Sequence, residues 1–151
     1  MGKSIIMGWF NKEDKKVTST INPSEMSPIE SVTFLCTAIQ ISDGQIDNEE
    51  KNVWIQLVSE LFPEFSEKRA EKFFLEAQVS LHSKSNIEKK ELTVKVMKRI
   101  KDLLDTDKID LLGKKISELV EADGMVMSGE IEIIKLIEEN LHIKINYDVE
   151  L

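Results

Sequence analysis

The chain has 151 residues, of which 41% are hydrophobic and 32% charged; this is ordinary for a globular protein and long enough for one domain with a sizeable core. A formal net charge of −8 excludes a general nucleic-acid binder, whose phosphate affinity rests on clustered lysine and arginine, and suits a protein that attracts cations. The single cysteine, Cys36, forms no internal disulfide and no apolar run reaches membrane-spanning length, so the expectation is a cytoplasmic protein that does not span a membrane.

Residues 1–26 read as a leader without a signal peptide. Gly2 is present, but Ile6 stands where a myristoylation pattern needs Ser or Thr. Trp9 and Phe10 beside Lys12, Lys15 and Lys16 suit either contact with a membrane surface or a segment that folds back onto the domain, and the second is preferred. The helical domain is expected over 27–145. In SPIE, Ser27 is placed as N-cap, Pro28 at the first helical position and Glu30 at the capping-box position, a combination that starts a helix. Ile29, Val32, Leu35, Cys36 and Ile39 then recur at helical spacing, which predicts one buried face and makes Cys36 a core residue rather than a nucleophile. Gly44 ends this helix.

A second helix starts at Asp47 or Asn48, carries an apolar stripe of Val53, Trp54, Leu57, Val58 and Leu61, and stops at Pro63. Ser66 caps a third, with Ala70, Phe73, Phe74 and Ala77 inward. The fourth runs from about Asn86 with Leu92, Val96, Ile100, Leu103 and Leu104 inward and a lysine-rich outer face read as solvated. The fifth begins near Thr106 or Asp107 and buries Ile109, Leu112, Ile116, Leu119 and Val120. Gly113 inside it costs about 1 kcal/mol relative to alanine, which predicts a close helix contact there. The sixth carries Ile133, Ile134, Ile137 and Leu141, and 146–151 form a short surface tail. No segment alternates like a strand. The predicted class is all-α: a compact bundle of about six to seven helices in two pseudo-twofold-related halves.

The halves follow from a repeat. ISDGQIDNEEKNVWIQLVSEL and EADGMVMSGEIEIIKLIEENL align without a gap, matching Asp43 with Asp123, Gly44 with Gly124, Ile46 with Val126 and Glu50 with Glu130. Each turn taken singly has a structural explanation: glycine as C-cap, and Asp47 with Glu50 as a capping-box-like start complementing the helix dipole. The second copy weakens it, because Met127 replaces Asp47 and cannot cap. Ser128 takes that position and Glu130 loses the capping-box role, yet Asp and Glu persist at the outer positions. A conventional EF-hand is not expected: Ile39 and Ile41 stand at the first and third ligand positions of the first copy, and in the second Leu119 stands at the first, with Glu121 at the third.

Carried by SDGQIDNEEK and EADGMVMSGE, each between apolar helices, residues 28–143 resemble the tellurite-resistance TerB-like domains. The resemblance implies an all-helical fold of seven helices in two similar halves, with acidic residues of both Asp-Gly turns forming a cluster that takes divalent cations. It also implies a place among small cytoplasmic proteins of stress and metal-resistance systems or modules of larger proteins, J-domain co-chaperones included, and no catalytic activity.

The ligands it implies are Asp43 and Glu50 from the first turn and Asp123 and Glu130 from the second, with Asp47 and Glu49 as additions. Close carboxylates repel by about 4 kcal/mol per pair at 4 Å and an effective dielectric near 20. A divalent cation would cancel that repulsion, as could protonation through raised carboxylate pKa values, and all-oxygen donors favour Ca²⁺, Mg²⁺ or Mn²⁺. MVMSGE lacks the family's middle acid, so a weaker or lopsided site is expected. His82 and His142 are read as surface residues, and no HExxH, CxxC, phosphate-binding glycine loop or serine-nucleophile motif occurs. The functional expectation is a non-enzymatic, metal-sensitive adaptor in a tellurite, metal or envelope stress response. Its partners would be other proteins, membrane-associated stress proteins among them. The alternative is a metal-independent protein-interaction module whose turns are purely structural; an enzyme using the paired carboxylates ranks last, for want of a nucleophile or substrate motif.

Overall fold

The structure, a computed structural model, describes residues 22–42, 48–122, 125–126, 128–145 and 148–149. At 48–51, 119, 121, 122, 125, 126, 128–130, 148 and 149 it describes the backbone alone. Six α-helices are present among the described residues: α1 (Pro28–Ser42), α2 (Asn48–Leu61), α3 (Glu67–His82), α4 (Asn86–Leu103), α5 (Thr106–Ala122) and α6 (Ser128–Leu141), preceded by a 3₁₀ turn at Pro23–Glu25. The fold is all-α, as expected.

Local chemistry sets the helix starts. The Ser27–Glu30 capping box is closed in both directions: the Glu30 amide donates to Ser27 Oγ (3.3 Å), and the Ser27 amide donates to Glu30 Oε1 (3.1 Å). Ser66 accepts from the Arg69 amide at 3.2 Å. Two caps escaped the sequence reading. Ser85 and Glu88 form a full capping box at α4, and Asp105 Oδ1 accepts from the Lys108 amide (2.8 Å) to start α5.

α1 is the centre of the molecule and contacts α2, α3, α4 and α6. Its burial corrects the expectation of a single apolar face, because every residue from Ser31 to Gln40 is buried. The stretch SVTFLCTAIQ is apolar or small on all sides, which is what a helix enclosed by others requires. Two of its hydroxyls turn back to the helix: Ser31 Oγ donates to the Ser27 carbonyl (2.9 Å) and Thr37 Oγ1 to the Thr33 carbonyl (2.8 Å). Cys36 is 1% exposed, as expected.

Three further differences have plain physical causes. Val53, expected inward, is 45% exposed: α2 meets α1, α3 and α5 through Trp54, Leu57, Val58 and Leu61, which leaves Val53 at the edge of that stripe. Gly113 does sit at a close approach, but to the segment after α6 rather than to a helix; a Cβ there would lie 2.8 Å from Ile143 Cδ1. Met26, placed with the leader by the expected boundary, is buried in the core, and its carbonyl accepts from Arg99 Nε on α4 at 3.1 Å. The burial of Leu119 lies outside the described residues. Beyond α6, the chain is held by the Ile145 amide donating to Glu138 Oε2 (3.0 Å). It then returns as a two-residue strand β2 (Asp148–Val149), which pairs in parallel with β1 (Met125–Val126). The expected tail is therefore hydrogen-bonded to the stretch that follows the second Asp-Gly turn.

Candidate functional site

Asp43, Asp47 and Asp123 lie outside the described residues. Glu49 and Glu50 fall in the first turn of α2, and Glu130 in the first turn of α6; their side chains too lie outside the described residues. The geometry that bears on the site is that of the segments leading into and out of the two turns.

Two separate packings draw these segments together. The first is a cleft of about 310 Å³ lined by Ala38, Ile41 and Ser42 of α1, Leu81 of α3, Asn86, Lys89, Lys90 and Thr93 of α4, and Glu132, Ile133 and Leu136 of α6. Ser42 is the last residue before the first turn, and Glu132 lies two residues past Glu130, so the entry to one turn and the exit from the other border one cavity. The second packing joins α2 to α5. Lys108 Nζ lies 4.9 Å from the centre of the Phe62 ring, and Lys115 pairs with Glu60. The residue numbers run in opposite senses, so the helices are antiparallel. Asn48 and Ala122 are each fourteen residues from the Phe62–Lys108 contact, and twelve and seven from the Glu60–Lys115 pair, so both lie about 10–21 Å beyond these contacts at 1.5 Å per residue. The exit from the first turn and the entry to the second are thereby carried to the same end of the helix pair.

The electrostatics of the cleft are mixed. Lys89 and Lys90 border it together with Glu132, so part of the lysine-rich face of α4, read from the sequence as merely solvated, faces a cavity. The walls from Ala38, Ile41, Leu81, Ile133 and Leu136 are apolar. Thr93 is committed to its own helix, donating to the Lys89 carbonyl at 2.7 Å, and Ser42 to the Ile39 carbonyl. Among the described residues no group of three His, Cys, Asp or Glu is placed to hold a metal; the side chains of the six candidate carboxylates lie outside those residues.

One acid was missed by the sequence reading. Asp148 stands directly opposite Met125, two residues beyond Asp123, because of the parallel pairing. Nothing in the local sequence signals this; only Val149 and its neighbours, a short β-favouring run after a helix stop, could have prompted it. His82 and His142 are both exposed. Cys36 is enclosed, and desolvation holds its thiol well above the usual cysteine range, so it stays protonated and unreactive. None of the helices among the described residues is long and apolar enough to cross a membrane. No family model, curated protein or solved structure matches the chain.

Proposed function

We propose that this protein is a non-enzymatic, TerB-like helical adaptor of the cytoplasm. Its two Asp-Gly turns jointly take a hard divalent cation, and bound metal changes its affinity for protein partners in a metal or envelope stress response. The observation that carries the reading is the convergence of the four turn-flanking ends: Ser42 and Glu132 on one cleft, Asn48 and Ala122 at one end of an antiparallel pair. The exchange of contacts supports it as well. α1 packs on α6 and α2 on α5, the pairing that a twofold axis relating the two repeats would produce. The donors available at the turns are Asp43, Glu50, Asp123 and Glu130, with Asp47 and Glu49 beside them, and the tail adds Asp148. All are carboxylates, which fits Ca²⁺, Mg²⁺ or Mn²⁺.

A second reading has its own support. Lys89 and Lys90 border the same cleft, and fixed ammonium groups can relieve crowded carboxylates without a metal. The domain would then be a metal-independent interaction module with structural turns. Thermal melting in Ca²⁺, Mg²⁺, Mn²⁺ and Zn²⁺ separates the two. A cation at a hundredfold excess over its dissociation constant stabilises by about 2.7 kcal/mol, or roughly 5–10 °C for a chain of this length. Asp43→Asn and Asp123→Asn should each abolish the rise. A melting temperature unmoved by every metal, with both variants matching wild type, rejects the cation site and leaves the interaction module.

A further inference from the structure

A second pocket lies away from the paired turns, between the 3₁₀ turn, the start of α1 and the middle of α3. It encloses about 220 Å³ and is lined by Asn22, Glu25, Met26, Glu30, Phe34, Phe73, Glu76 and Ala77. Its floor is apolar, with Phe34, Met26 and Ala77 buried and Phe73 half-buried. Among the described residues its rim carries three carboxylates and no lysine or arginine. Glu30 is tied to the Ser27 amide, whereas no cation pairs with Glu25 or Glu76 among the described residues. Two arginines approach it from outside: Arg99 Nε donates to the Met26 carbonyl, and Arg69 lies over the rings of Phe65 and Phe73 at 5.3 and 5.8 Å. A pocket with an aromatic floor and an acidic rim fits a bulky apolar side chain flanked by ammonium groups.

We infer that the occupant is this chain's own segment Trp9–Lys16, which lies outside the described residues. It supplies Trp9 and Phe10 for the floor and Lys12, Lys15 and Lys16 for the rim. The join is favourable, because Asn22 is itself a lining residue. Lys16 is six residues from it and Trp9 thirteen, spans of up to about 20 and 45 Å when extended. A tether this short holds the segment at an effective concentration near the millimolar range, so weak individual contacts suffice for occupancy. Charge is complementary: residues 1–21 carry Lys3, Lys12, Lys15 and Lys16 against Glu13 and Asp14, in a chain of net charge −8. This inference is independent of the cation reading.

Limited trypsin digestion of the full chain at Lys12, Lys15 and Lys16 tests it. In a Glu25→Gln/Glu76→Gln variant, which leaves the Glu30 capping box intact, cleavage should be about fivefold faster than in wild type, because loss of two ion pairs raises the open fraction. As a second readout, the chain labelled with 5-fluorotryptophan gives one fluorine resonance for Trp9, assigned with Trp9→Phe, and one for Trp54. The Trp9 signal should shift between wild type and the double variant while that of the buried Trp54 stays. Equal cleavage rates with an unmoved Trp9 signal overturn the proposal. Protection that fades on dilution overturns it as well, since that result assigns the pocket to a segment from a second copy.

Discussion

Thr33 sits on the enclosed helix α1 at 3% exposure, and its hydroxyl has no hydrogen-bond partner among the described residues. It borders a void of about 10 Å³ with Cys36, Trp54, Ile55, Val58, Ala70 and Phe74. A buried, unsatisfied hydroxyl costs about 1–3 kcal/mol, and valine has nearly the same shape. Thr33→Val should therefore raise stability by about 1 kcal/mol, read as a higher denaturant midpoint at unchanged m-value. His142 makes the opposite point at the surface. It follows α6 with φ of 57°, and its amide donates to the Glu138 carbonyl at 3.0 Å, so it occupies a helix C-cap position that favours glycine. His142→Gly removes the Cβ strain of that conformation and should stabilise by about 0.5–1 kcal/mol, checked by thermal melting.

Among the described residues, the α4 capping box and the Glu60–Lys115 pair between α2 and α5 contribute to the acid response. Hydrogen bonding to Lys115 lowers the Glu60 carboxyl below its ordinary value, and the Ser85 amide does the same for Glu88. A carboxyl lowered on folding adds stability above its unfolded value, about 4.3, and that stability drains away as pH falls through the lower folded value. Lys115 is raised by the same hydrogen bond to Glu60, so its share persists through neutral pH and disappears only on the alkaline side. The melting temperature should fall on acidification below about pH 4.5. Glu88→Gln, which keeps the capping geometry, should make that fall shallower; an unchanged acid limb would show that this carboxylate is not linked to folding.

The helix starts also mark what could be read from residues alone. SPIE announced its capping box because its partners lie within three residues and Pro28 marks the first helical position, and Ser66 followed the stop at Pro63; Ser85 and Asp105 cap over the same span but lack a neighbouring proline. Val53 could not be placed from spacing, because the edge of an apolar stripe is decided by which helices arrive beside it. The enclosure of α1 and the pairing of Asp148 with Met125 are long-range outcomes with almost no local signature. Of the candidate site, the repeat marked two equivalent corners. The lysines that border the cleft were invisible as such, since Lys89 and Lys90 read like any solvated pair until α1 and α6 are brought alongside.

At the scale of the whole molecule, the contacts among the described helices join distant parts of the sequence. α1 packs on α6, the helix farthest from it in the chain, and α2 on α5. Any cation that joined the two turns would therefore act on the junction of the earliest and latest parts of the fold, which is why melting temperature is the right observable for it. The order of the helices has another consequence. α1 leaves the ribosome before the helices that enclose it, with apolar and small polar side chains around its circumference, while one wall of its enclosure, α6, is still about a hundred residues from being made. At about 5–20 residues per second that interval lasts roughly 5–20 s. Through it the nascent chain displays a greasy rod with an unfilled flank, a natural client for a holding chaperone.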